Sequence, residues 1–192
     1  MGVEKASRFN EFCSMKSLDL QQDFFQLFEL PLRFEIDNIL LDQRYRDLQT
    51  QVHPDKFSHL SESEQRLSVQ WATRVNEGYQ ILRNPLARGR YLLSLQGVDT
   101  QEESNTTMPL DFLMQQMEWR EALQDVLQSK DVDALDVLSE RTRKEMRSLQ
   151  QQLGVQLDES HDLLAAAGTV RKLRFLEKLA EEIASAYDEL DS

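Results

Sequence analysis

Two apolar stripes at helical spacing, interrupted once by His53-Pro54-Asp55, set the strongest limit on what this chain can fold into. Leu41, Tyr45, Leu48 and Val52 fall at i, i+4, i+7 and i+11 behind Asp37, a side chain suited to capping the first turn. Pro54 has no backbone N–H, and its ring drives the preceding residue out of the right-handed helical region, so this helix must end at about His53. The pattern restarts at Ser61-x-x-Glu64, a capping box, and continues through Leu67, Trp71, Val75, Tyr79 and Leu82. Two helices joined this way lie antiparallel. The tripeptide then sits on a solvent-facing turn, where it is either a contact point or punctuation.

The rest of the chain follows the same period, and the expected fold class is all-α. β-branched residues are sparse and alternation is absent. A short helix is expected over 23 to 30, feeding Phe24, Phe25, Leu27 and Phe28 to a core before Pro31 ends it. Asn84-Pro85 supplies a cap and first-turn proline for a helix through Tyr91, Leu92 and Leu93 that closes near Gly97. The polar stretch GVDTQEESNTTM reads as a linker. Three longer helices follow: one from Pro109 to about Gln128, one carrying Leu135, Leu138, Met146, Leu149 and Leu153 and ending at Gly154, and one from about Asp158 to Leu190. The expected division is a tail over 1–14, a first unit over 15–97, a linker over 98–108 and a three-helix unit over 109–192.

The chain has 34 acidic and 22 basic residues and a net charge of −12, which disfavours non-specific binding to nucleic acid or anionic lipid. Its longest apolar run, 163–167, is far too short to span a bilayer, and no secretory signal is legible; a cytoplasmic protein is expected. Cys13 is the only cysteine, so an internal disulfide and any multi-cysteine metal site are excluded. It stands in an unpatterned tail that is left out of the fold. His59 and His161 are isolated, and no metal or other cofactor is expected.

Helical geometry singles out a second candidate surface. Residues rotate by about 100° each, so if Phe112 faces the core, Trp119, Leu123, Val126 and Leu127 fall on its side. Leu113, Met114 and Met117 do not. They share the side or back of that helix with Glu118, Glu121 and Asp125, and an apolar cluster rimmed by acids outside the core stripe is a candidate contact face. Phe175 falls about 130° from the centre of its own helix's stripe and is also surplus to the core. The alternatives are a three-helix unit that buries a wider arc, or packing of this face on the first unit. Arg171, Lys172, Arg174 and Lys178 read as a solvated face paired with nearby glutamates. A catalytic His53-Asp55 dyad lacks a nucleophile, Ser58 standing in no oxyanion-type turn, and the chain is expected not to be an enzyme.

The hairpin around His53-Pro54-Asp55, together with NPLARGRYLLSLQG and TVRKLRFLEKL, resembles the HscB co-chaperone family of bacterial iron-sulfur cluster assembly from about Met15 onward. The resemblance implies an N-terminal J domain joined in an L shape to a C-terminal three-helix bundle. It implies two partners, a chaperone ATPase of the HscA or DnaK kind and an IscU-type iron-sulfur scaffold. On the J domain, Asp55 is expected to accept charged hydrogen bonds from the chaperone, with His53 and Pro54 fixing the loop and Tyr45, Arg44, Arg46 and Lys56 around it. On the bundle, Leu113, Met114, Met117, Glu118, Glu121, Asp125 and Phe175 match the positions that hold the scaffold. The chain departs from many J domains in its weakly basic second helix, where Asp47, Gln49, Thr50 and Gln51 interrupt the positive charge, and in Gly89, which weakens the helix after Pro85. It has no Gly/Phe-rich or cysteine-rich zinc region, which favours the iron-sulfur specialist over a general J-domain protein that binds unfolded clients.

Overall fold

The computed structural model describes residues 21–57, 61–100 and 109–190, all of them helical or connecting, with no strand among them. The tail with Cys13, Ser58, His59, the Pro54 ring and most of the polar stretch before Pro109 lie outside what is described. Contacts divide the chain into two compact units that meet between Arg88 and Gly89.

The first unit is built on α1 (Phe24–Leu27), α2 (Asn38–Val52) and α3 (Glu62–Arg83). Each start is fixed by a side chain that the sequence puts in the right place. Asp23 accepts from the Gln26 amide at 2.9 Å, and Asp37 accepts from Ile39 at 2.8 Å and Leu40 at 3.2 Å. The Glu64 carboxylate accepts from the Ser61 amide at 3.0 Å, closing the expected capping box. Glu29, in the left-handed region at φ 51°, ends α1, and the Leu30 amide reaches back to the Phe25 carbonyl at 2.8 Å.

Helices α2 and α3 run antiparallel: Asp42 lies beside Arg83, Tyr45 beside Tyr79 and Gln49 beside Asn76. Leu41, Val52, Trp71, Val75 and Leu82 are buried between them and α1. Gly78 lets α1 come close. A Cβ there would meet Phe24 Cδ1 at 2.6 Å and Phe28 Cε2 at 2.9 Å.

Helix α4 (Pro85–Leu95) carries the boundary between the units. Asn84 caps it through the Ala87 amide at 3.0 Å, and it closes as expected on Gly97 at φ 74°, with the Val98 amide bonded to the Leu93 carbonyl at 2.9 Å. Buried Arg88 was not foreseen: its guanidinium donates to the Leu82 carbonyl at 2.6 Å and lies over the Phe34 ring.

The second unit packs α5 (Leu110–Ser129), α6 (Val132–Gly154) and α7 (Leu163–Leu190) around Phe112, Trp119, Leu123, Leu135, Leu149, Leu153, Val170, Leu173 and Leu176. The turn at Lys130, φ 55°, and the Asp131 cap reverse the chain between α5 and α6, and Tyr187 near the end of α7 bonds Asp136 near the start of α6. The three helices therefore run up, down and up.

Two boundaries differ from expectation. Helix α1 stops at Leu27 rather than Leu30, ended by the left-handed residue Glu29 and not by Pro31, whereas α6 ends at Gly154 as expected and the chain runs on through a π-helical turn at Val155–Glu159. The last helix begins at Leu163 rather than Asp158. His161 takes φ 51°, and Asp162 then caps α7 through the Ala165 amide at 3.0 Å.

Candidate functional site

The turn after α2 is a short 3-10 helix, Pro54–Phe57, pinned from below by buried Phe57. His53 sits just outside it. Its Nδ1 accepts from the Asp55 amide at 3.3 Å and lies 3.7 Å from Asp55 Oδ2, while its carbonyl accepts from the Lys56 amide at 3.0 Å. The imidazole thus shapes the loop, and the Asp55 side chain, 90% exposed, projects into solvent with exposed Lys56 beside it. No nucleophile adjoins the pair among the described residues.

The other residues expected around this turn are not equivalent. Tyr45 is half-buried in the hairpin: its ring stacks on Tyr79 at 4.0 Å and its hydroxyl donates to Asn76 at 2.9 Å. Tyr79 in turn donates to Asp42 at 3.0 Å, and that hydrogen bond, with burial second, raises the phenol's pKa above 10.0. Arg44 and Arg46, two residues apart, leave α2 about 200° from one another. Arg44 is held by Glu29 at 2.8 Å, whereas Arg46 is exposed on the face that also carries exposed Thr50 and His53. Arg46, His53, Asp55 and Lys56 form the accessible group.

On α5 the buried Phe112, Trp119, Leu123 and Val126 define the inward face. Leu110, Met114, Met117 and Glu121 fall opposite it, Leu113 and Arg120 lie on one flank, and Glu118 and Asp125 lie on the other. All of these are exposed, from 37% for Leu113 to 63% for Met117 and 73% for Leu110. Leu110 was missed, although it shares the i, i+3, i+4, i+7 spacing of Leu113, Met114 and Met117. Glu118 reaches toward Arg141 of α6 at 4.0 Å.

Phe175 needs a correction. It is not surplus to the core but half-buried, stacked on Trp119 at 6.0 Å and edge-on to Phe112 at 5.8 Å. Helix α7 packs on both α5 and α6, so it buries a wider arc than one stripe predicts. The remaining part of the ring borders the Leu113 flank, where the Arg120 guanidinium lies 5.8 Å from its centroid.

The basic group on α7 is likewise not a uniform solvated face. Arg171 donates to the carbonyl of buried Thr100 at 3.0 Å, tying the start of the polar connection to α7, and Lys172 lies over the Phe112 ring. Arg174 pairs with Glu177 at 2.6 Å as the spacing predicts, and Lys178 is exposed. Among the described residues no cluster of His, Cys, Asp and Glu could hold a metal ion, and no helix is long and apolar enough to cross a membrane.

Comparison with known proteins identifies the family. Residues 108–184 match the family model described as the HSCB C-terminal oligomerisation domain. The co-chaperone protein HscB homolog of Chromobacterium violaceum is 56% identical over 172 residues, covering 90% of this chain and 97% of that protein. The homolog from Aromatoleum aromaticum is 50% identical over 176 residues, covering 92% and 99%. The chain belongs to the HscB co-chaperone family. Among solved structures, the HscB chaperone from Vibrio cholerae superposes with a TM-score of 0.78 at 40% identity, over 88% of this chain and 99% of that one. The human HscB co-chaperone gives 0.83 at 30% identity, over 88% and 83%. The all-α arrangement of an HscB protein, a J domain followed by a C-terminal helical domain, is therefore the fold of this chain.

Proposed function

We propose that this HscB-family co-chaperone of iron-sulfur cluster assembly couples an IscU-type scaffold to an ATP-hydrolysing chaperone of the HscA or DnaK kind, and catalyses no reaction itself. The accessible group at the turn, with Asp55 as the hydrogen-bond acceptor, docks on the ATP-bound chaperone and promotes hydrolysis. Tyr45 and Arg44 act from behind by holding α2 against its neighbours. The outward face of α5 grips the scaffold: Leu113, Met114 and Met117 supply apolar contact, Phe175 closes one edge, and Glu118, Glu121 and Asp125 supply rim charge. Holding both partners raises the local concentration of one at the other, and hydrolysis traps the scaffold for cluster transfer. The chain works in the cytoplasm without a cofactor, since nucleotide binds the chaperone and the cluster sits on the scaffold.

The observation that carries this reading is the exposed apolar row on α5, set directly opposite a complete core. Apolar side chains grouped on one exposed face, rather than scattered singly, support the reading of that face as an interaction surface. Steady-state ATP hydrolysis by a matched chaperone tests the reading, with this protein and the scaffold added separately and together. Stimulation should be greatest with both present. No stimulation by this protein, or equal stimulation when denatured protein replaces the scaffold, would overturn it in favour of a general client-binding co-chaperone or another role.

A further inference from the structure

The two sulfur atoms on the outward face of α5 have a chemistry that binding alone does not use. Met114 is 56% exposed and Met117 63%, one helical turn apart, while Met146 on α6 is half-buried. Neither Met114 nor Met117 contributes to the core, which is filled from the opposite side of the helix by Phe112, Trp119, Leu123 and Val126. A methionine thioether in the open reacts with peroxides. Oxidation turns a flexible apolar side chain into a polar, chiral one.

We propose that Met114 and Met117 are a reversible oxidation site that switches off the scaffold-binding face. The inference rests on the reading of α5 as that face. Hydrogen peroxide is the oxidant: the thioether sulfur gives two electrons to the O–O bond, one oxygen is transferred to sulfur as the sulfoxide, and the other leaves as water. Methionine sulfoxide reductase, drawing two electrons from a thiol reductant, returns the thioether and releases the oxygen as water. The fold tolerates the change because both sulfoxides remain in solvent. Scaffold binding does not, because it would bury two sulfinyl oxygens without hydrogen-bond partners.

The test uses the full chain as a Cys13→Ser variant, so that thiol oxidation is absent, treated with dilute hydrogen peroxide. Peptide mass mapping should show an added oxygen at Met114 and Met117 well before Met146. The thermal unfolding midpoint should be unchanged, while affinity for an IscU-type scaffold falls at least about tenfold and returns after reductase treatment. In a Met114→Leu, Met117→Leu variant, apolar but not oxidisable in this way, the affinity measured before and after the same treatment should be equal, whatever its starting value. Oxidation of Met146 first, or unchanged affinity of the doubly oxidised protein, overturns the switch. If the oxidised protein binds normally while Met117→Ala binds poorly, only the switch fails. If Met117→Ala also binds normally, the contact face itself is wrong and the switch falls with it.

Discussion

The turn after α2 and the outward face of α5 are both exposed, but they are held in opposite ways. At the turn, side chains on and behind the loop are tied to their own neighbours: His53 to the Asp55 amide, Tyr45 to Tyr79 and Asn76, and Arg44 to Glu29. A small number of groups is presented in a fixed shape. On α5, Leu110, Met114 and Met117 are simply what remains once the other side of the helix has filled the core, and the surface is broad and adaptable. One surface is specified by its shape and the other by its position opposite a filled core. Substitutions should therefore separate function from stability differently in the two places.

The largest effect is expected on α5. A Met117→Ala, Phe175→Ala double variant should lose about 2–4 kcal/mol of scaffold affinity by calorimetry, as removal of anchor residues does. The single changes then sharpen the comparison. Phe175→Ala should also lower stability by roughly 1–3 kcal/mol in denaturant titration, because its ring packs on Trp119 and Phe112. Met117→Ala should stay within about 0.5 kcal/mol of the parent. Equal stability losses would mean that Met117 is held in the fold as firmly as the half-buried aromatic.

In the first unit the most damaging small change is at a glycine. Gly78→Ala should cost roughly 1–3 kcal/mol, since its Cβ would press on the Phe24 and Phe28 rings and α1 must shift. Removing one hydroxyl is gentler: Tyr45→Phe should cost about 0.5–1.5 kcal/mol and leave the stacked ring in place.

The smallest effect is on pH dependence. Tyr79 and Tyr187 each donate a hydrogen bond to an aspartate, Asp42 and Asp136, and each phenol is raised above its ordinary value of 10.0 chiefly by that bond. Because the folded state favours the protonated form, its contribution is complete below pH 10 and is lost as pH rises through the raised values. The unfolding midpoint should fall in that alkaline window, and the fall should shrink in a Tyr79→Phe, Tyr187→Phe variant. An unchanged fall would place its cause in other groups.

What could be read from the sequence follows the range of the interactions. Caps at Asp37, Ser61 and Asn84 and the glycine stop at Gly97 are local, so residue type and spacing were enough to place them. The start of α7 was not legible, because the break before it is made by His161 in the left-handed region, while Gly154, seven residues earlier, is buried with right-handed helical angles and lets the chain run on into a π-helical turn. Periodicity found the outward face of α5 but misjudged Phe175, since a single stripe describes a helix with one neighbour and α7 has two. Arg171 looked like surface charge. Its partner is the carbonyl of Thr100, seventy-one residues away, and no local pattern records that bond.

The central claim, that one chain carries two separable docking surfaces, is tested most directly by chaperone ATPase rates measured on two variants, each with and without scaffold. His53→Gln should abolish stimulation in both conditions. Met117→Ala should keep the stimulation given by the co-chaperone alone and lose only the increment that scaffold adds. If both variants lose both activities to the same extent while remaining folded, the two surfaces are not separate.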